Sequence, residues 1–372
     1  MKTLKSILLT LLIVILVFGG SFLVTFWLRD QGIIGGGEAI EEVDDEDVGD
    51  EESVYPFIIP TDGPEVAAAK LSFSYKGKSY EVQPVVDSRV YHGAVAAPRG
   101  YHIRVDADEQ TRFDALRDYY NKLTYDPEME PAIESVREVL RGIRDEAGLD
   151  SDEYIELMAK YVQSIPYDET RGLVNVESAE PGDPRMPIQV LVDGVGDCDE
   201  KVMLLATLLT HEGIDAQAFF YKEEKHMALG VSSEGAGFHE SGFEYIETTA
   251  LAYVSEFPQE FAGGVTLRSA PQDFPFGEGG AAGFYSSKAV AQVERIVRVR
   301  DSAEAAAEKK KREIESGTWT EAEFQRQEAM YQACFTALNT FRATVDSEGN
   351  STNDFKDRPK AIAWIDKNAW WE

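Results

Sequence analysis

Only two of the 372 residues are cysteine and only five are histidine. Neither type is arranged for a metal: no Cys-x-x-Cys and no His-x-x-x-His spacing occurs. No Asp-x-Asp-x-Asp-Gly run ends in glutamate at its twelfth position, which excludes an EF-hand. Bases are scarce too, 36 Lys and Arg against 67 Asp and Glu, for a net charge of −31. So acidic a chain argues against nucleic acid or an anionic membrane surface as a partner. Ten of the acids, with no base, fall in residues 38–52, behind Gly35-Gly36-Gly37. This is the composition of a self-repelling, disordered tether, here bounded at 31–64. Removing those ten still leaves about −21 on the remainder, which suits a protein kept soluble in high salt.

One long uncharged apolar run is present, residues 7–28, and it is long enough to cross a bilayer. Lys2 and Lys5 precede it and acids follow Arg29, so the positive-inside rule puts the N-terminus in the cytoplasm and the rest outside. A cleaved signal peptide would have a shorter apolar core. Here Phe22-Leu23-Val24-Thr25-Phe26-Trp27 carries the run past Gly19-Gly20-Ser21, and residues 1–30 read as an uncleaved, single-pass signal anchor in the cell membrane. In an exported chain two cysteines can pair. Cys334, however, lies seven residues before Phe341 on a helix where Phe324, Tyr331 and Leu338 share that spacing, so it is expected to face a core.

Cys198 is different. It follows Gly196-Asp197 and precedes a run rich in helix formers, Met203, Leu204, Leu205, Ala206, Leu208 and Leu209, closed by Gly213. Asp197 is a credible N-cap, which puts the thiol in the first turn of a helix apolar enough to be buried on most faces. Backbone N–H groups and the macrodipole at that end favour thiolate. Asp197, Asp199 and Glu200 oppose it. Residues 216–221, 226–231 and 243–249 then read as three short strands, with His226 opening the second and Glu247 inside the third. Thiol, imidazole and carboxylate in this order suit a nucleophile, its base and the group that orients the base.

Several motifs add to these three residues: Tyr161-Val162-Gln163-Ser164-Ile165-Pro166-Tyr167-Asp168, then Pro187-Ile188-Gln189-Val190-Leu191-Val192-Asp193-Gly194-Val195-Gly196-Asp197-Cys198, and Gly213-Ile214-Asp215-Ala216 after the helix. In this order they resemble the transglutaminase-like superfamily of cysteine enzymes, and more closely a membrane-anchored branch of it common in archaea. The resemblance covers roughly residues 150–258. It implies a Cys-bearing helix packed on an antiparallel sheet, with Cys198 as nucleophile, His226 as base and Glu247 as orienting acid. Much of the superfamily has Asp at the third position; the Glu-Thr-Thr form matches the branch. Gln189 is a candidate for oxyanion support. No cofactor is implied.

The expected fold class is α+β: a transglutaminase-like core at 150–260 with additions on either side, behind one transmembrane helix. Alternation over 71–75 and 80–82 around Lys76-Gly77 predicts a hairpin, and residues 89–97 and 101–105 are candidate strands. Phe113, Leu116 and Tyr120 line one helix; Ile133, Val136, Leu140 and Ile143 line the next, completing an N-terminal region of 65–149. Asp150 and Glu153 form a capping box for a helix over 151–165. Residues 261–285, rich in Gly and Pro, read as a loop. Residues 286–345 predict an antiparallel helical hairpin whose basic run, residues 309–312, is a solvated face. The rival reading of the hairpin is a docking surface for an envelope protein. The tail, 346–372, carries Trp364, Trp370 and Trp371 and is expected to dock on the domain, the rival reading being a second contact with the membrane interface. Asn350-Ser351-Thr352 fits a glycosylation sequon.

Two functions follow. The first is extracytoplasmic acyl transfer from a protein or peptide amide, by hydrolysis or amine cross-linking. The second is a catalytically inactive scaffold or binding module of the cell envelope.

Overall fold

The sheet order β5-β4-β3-β6 follows from one tight turn, one longer connection and one late addition. In the computed structural model, β3 (Ala216–Tyr221) and β4 (His226–Ser232) pair antiparallel, with Tyr221 opposite His226. β5 (Phe243–Ile246) adds to β4, with Leu229 opposite Ile246. β6 (Gln272–Phe276) adds to the free side of β3. The structure describes residues 56–98, 107–168, 184–258, 266–277, 279–280, 283–341 and 357–369, all in one unit spanning Ser53–Glu372. The expected transmembrane helix, most of the tether, candidate strand 101–105, the sequon, Trp370 and Trp371 lie outside the described residues. Among those described, no helix is long and apolar enough to cross a membrane.

Alternation divides the sheet into two faces. Ala216, Ala218, Phe220, Met227, Leu229, Val231 and Ile246 belong to the main core. Phe219, Tyr221, Ala228 and Tyr245 form a separate aromatic cluster on the other face, with Leu267 and Phe238. Against the first face lies α6 (Cys198–His211), buried from Cys198 through Leu209. Its all-round apolar sequence is thereby explained: strands β3 and β4 cover one side and other helices the rest. Each fully buried leucine of this rod contributes roughly 1.5–3 kcal/mol by transfer from water.

The surrounding helices are α1 (Ser88–Ala96), α2 (Glu109–Thr124), α3 (Glu130–Ala147), α4 (Ser151–Gln163) and α5 (Pro187–Asp193). The capping box of Asp150 and Glu153 opens α4 as expected. The predicted hairpin is β1 (Leu71–Tyr75) and β2 (Lys78–Val82), turned by Lys76 and Gly77, both at positive φ. It packs on α4, where Tyr75 donates its hydroxyl to the Glu153 carbonyl at 2.8 Å. Beyond the sheet come α7 (Ser287–Ser316) and α8 (Glu321–Phe341), then α9 (Arg358–Asn368). Ala361 and Ile365 of α9 bury against Val293, Ile296 and Val299 of α7, so the tail docks on the long helix.

The α+β class holds, with four local corrections. Residues 89–97 are mostly helical, because Asp87 caps the Arg89 N–H and Val90, Gly93 and Ala94 bury at helical spacing. Strand β6 occupies a stretch expected to be irregular; Phe274 and Phe276 alternate inward around Pro275. Lys310 is buried and donates to Glu313 and Gln327, so the basic run is not uniformly solvated. Phe324 is 41% exposed rather than core-facing. The side chain of Cys334 lies outside the described residues.

Candidate active site

Two devices place Cys198 at the tip of α6. Asp197 accepts the Glu200 N–H at 3.3 Å while the Glu200 carboxylate accepts the Asp197 N–H at 3.0 Å, a reciprocal cap that starts the helix at Cys198. The turn before it is laced to the chain leaving α4: Gly196 donates to the Pro166 carbonyl and Asp168 donates to the Gly196 carbonyl, both at 3.1 Å. Arg185 closes the arrangement. Its guanidinium meets Asp168 at 2.5 Å, Asp193 at 3.2 Å and Glu200 at 3.5 Å, and donates to the Val195 carbonyl at 3.0 Å.

The sheet supplies the other two predicted residues. His226 is the first residue of β4, and its Nε2 lies 3.0 Å from Glu247 Oε2. Glu247 is one residue past the end of β5, not inside the strand. That early ending matters for the thiol. With Leu229 opposite Ile246, no β5 residue stands opposite Met227, and the Met227 backbone N–H is near enough to the Cys198 thiol to favour its ionisation. The Thr248 hydroxyl reaches the Cys198 carbonyl at 3.5 Å. The sulfur thus meets the sheet one residue from His226, and the main chain of Cys198 meets it one residue from Glu247. Cys198, His226 and Glu247 are brought to the same end of the sheet.

Glu247 is fully buried, and its carboxylate is fully engaged. Oε2 accepts from the Tyr245 hydroxyl at 3.0 Å besides His226; Oε1 accepts the Thr249 N–H at 2.8 Å and the Thr249 hydroxyl at 2.5 Å. Burial alone raises a carboxyl's proton affinity, but the electrostatic pull of His226 and these hydrogen bonds outweigh it, and the net shift is downward. Glu247 is therefore ionised at neutral pH. Cys198 moves the other way. Burial pushes its thiol well up, the charges of Asp199 and Asp197 push it further, and the Met227 N–H opposes them. Asp197 is itself raised, to about 11, by burial and then by the neighbouring Asp199.

Gln189 is not placed at the thiol by its oxygen: Oε1 accepts the Met186 N–H at 2.9 Å and caps α5. Residues that sequence reasoning left without a role hold the site instead. Gln163 donates to the main-chain carbonyls of Glu247 at 2.8 Å and Ala252 at 3.0 Å. Thr249 and Tyr245 clamp the carboxylate. Thr248 and Thr249 complete the Glu-Thr-Thr run, so their position beside the acid in the sequence is a usable signal. Tyr167, in the segment laced to Gly196, is half-buried with its ionisation disfavoured by burial and then by Cys198.

An imidazole–carboxylate pair near a helix-tip sulfur on an antiparallel sheet brings together the three kinds of group that nucleophilic thiol chemistry uses. No family model, no curated protein and no solved structure matches this chain.

Proposed function

We propose that the protein is a membrane-anchored, extracytoplasmic thiol enzyme with a transglutaminase-like core, acting on protein or peptide amides. The observation that supports this best is the His226 imidazole that Glu247 holds at 3.0 Å, one residue from Met227, whose backbone N–H favours the Cys198 thiolate. Because Nε2 is engaged by the acid, Nδ1 is the nitrogen that serves the thiol. His226 takes the proton from Cys198, and the thiolate adds to the amide carbonyl carbon. The tetrahedral intermediate then breaks its C–N bond, and the leaving amine takes the proton from His226. Water or a second amine, deprotonated by the same imidazole, attacks the thioester and returns the thiol. Water gives hydrolysis and an amine gives a cross-link. First-turn N–H groups of α6 contribute to holding the oxyanion. Export and anchoring rest on residues 7–28 and the lysines before them.

The test is thiol chemistry followed by turnover. Iodoacetamide labelling of Cys198 near neutral pH that is lost in His226→Ala supports the enzyme, as does release or transfer of an amine from amide substrates that Cys198→Ala abolishes. A non-catalytic envelope scaffold is the second reading. It is favoured by the complete burial of Cys198 and by the burial and carboxylates that disfavour its thiolate. Slow Cys198 labelling, indifferent to His226→Ala and without turnover, would establish that reading instead.

A further inference from the structure

Lys201 stands one turn after Cys198 on the same face of α6, and none of it reaches solvent. Helical side chains lean toward the N-terminus, so its stem runs back toward the start of the helix. Gly196 leaves room for this passage: a Cβ there would lie 3.2 Å from Lys201 Cγ. The amine ends on main-chain oxygens, 2.8 Å from the Ile165 carbonyl and 3.4 Å from that of Gln163. Among the described residues, no carboxylate lies within ion-pair distance of it. The two ionisable groups that act on it through space are Glu247 and Cys198. Burial lowers its proton affinity, to about 7, while those two groups raise it.

The charges around the thiol are otherwise one-sided. Asp199 and Glu200 flank it on α6 beside Asp197, which burial and Asp199 keep protonated, and Glu247 lies beyond β5. Tyr120 of α2 brings a hydroxyl to Asp199 at 2.7 Å, and Tyr167 approaches from the chain after α4. Arg185, before α5, is engaged by Asp168, Asp193 and Glu200. His226, on β4, is held by Glu247. A buried amine is costly when carbonyls are its only direct partners, and an apolar side chain of similar length fills such a position at no electrostatic cost.

We propose that Lys201 is a positioning residue of the thiol site: its ammonium, held on the Ile165 and Gln163 carbonyls, supplies the positive charge against which the Cys198 thiolate forms. This rests on the reading of Cys198 as a nucleophile. It assigns the burial of a lysine to electrostatics at the reacting atom, not to capping the end of α4. It also makes the chain from Ile165 to Tyr167 part of the site's electrostatic frame.

The experiment measures iodoacetamide alkylation of Cys198 in the full-length protein against pH, read at that peptide by mass spectrometry so that Cys334 does not contribute. Wild type, Lys201→Met, Lys201→Gln and Lys201→Arg are compared. Loss of the charge in Lys201→Met moves the alkylation midpoint up by about one pH unit, roughly tenfold slower labelling near pH 7. Lys201→Gln, which keeps an N–H donor for the carbonyls, shows the same shift, and Lys201→Arg does not. An unchanged midpoint in Lys201→Gln, with or without a lower Tm, overturns the proposal and leaves Lys201 a structural tie. That result differs from failure of the underlying reading, in which wild-type Cys198 labels slowly and His226→Ala changes nothing.

Discussion

Gln163, the last residue of α4, donates from Nε2 to the main-chain carbonyl of Glu247 at 2.8 Å. Its second proton goes to the Ala252 carbonyl at 3.0 Å, so one buried amide ties the helix to the loop that presents the acid. Neither acceptor is in a regular strand, and each depends on that amide. Gln163→Ala therefore leaves two buried carbonyls short of a donor and costs about 1–3 kcal/mol. Gln163→Glu is worse, because a carboxylate then faces two carbonyl oxygens. Denaturant unfolding of the three proteins checks the order, wild type above Ala above Glu. A Glu variant as stable as wild type would show that the amide does not hold the loop.

Arg185 carries a similar burden with charge. Its side chain is 9% exposed and meets three acids, one of them the fully buried Glu200 that caps the Cys198 helix. Removing one partner of a buried ion cluster strands the others, at about 3–5 kcal/mol. Arg185→Met is expected to lower stability by that order, measured by urea unfolding. Asp168→Asn in the Arg185→Met background should cost less than in wild type, since the arginine it served is gone. Additive losses would mean the two side chains do not act together.

How much of the molecule is legible in its sequence depends on how local the cause is. The start of α6 is readable because Asp197 and Glu200 are a cap written within four residues, and the β3–β4 pair because its strands flank a short charged turn. The helix α1 is hidden because Val90, His92 and Ala94 alternate with polar or small residues, while its helical signal is the single capping residue Asp87. β6 is hidden because Pro275 and the surrounding glycines look like loop, and only its pairing with β3 makes it a strand. The position of His226 beside Glu247 follows from strand order. The roles of Gln163, Arg185 and Lys201 do not, since their partners are distant carbonyls or acids that no spacing announces.

Glu156 gives the fold a pH dependence whose sign can be worked out. On α4, its Oε1 accepts from the Tyr285 hydroxyl at 2.7 Å and from Arg358 Nε of α9 at 2.6 Å. Its Oε2 and Arg358 Nη2 have no hydrogen-bond partner among the described residues. Burial outweighs the pull of Arg358, and the carboxyl is raised to about 7. Since its unfolded value is near 4.5, the native state binds the extra proton between those two pH values. Stability therefore falls as pH rises through that window, by about 3 kcal/mol for this group, and levels off above it. Glu156→Gln removes the fall, seen as a difference between the two stability–pH curves. Parallel curves from pH 4.5 to 8 would show that the carboxylate is ionised throughout.

The acids around Cys198 lead to a gain rather than a loss on mutation. After burial, Asp199 is the largest influence holding the thiol protonated. It is itself 3% exposed, accepts the Tyr120 hydroxyl at 2.7 Å and accepts the Glu200 N–H at 2.9 Å. Asp199→Asn keeps an oxygen for the Glu200 N–H and can donate to Tyr120, so the helix start survives while a negative charge leaves. Cys198 should then ionise at lower pH and alkylate several-fold faster at pH 7, because lowering a thiol's midpoint by one pH unit gives roughly tenfold more thiolate. If labelling slows instead, Asp199 is needed for the geometry of the thiol more than its charge opposes ionisation. Tyr120→Phe separates the two effects: it removes one hydrogen bond to Asp199 without altering the number of carboxylates beside the sulfur. A Tyr120→Phe protein that labels at the wild-type rate, beside a faster Asp199→Asn, assigns the acceleration to charge.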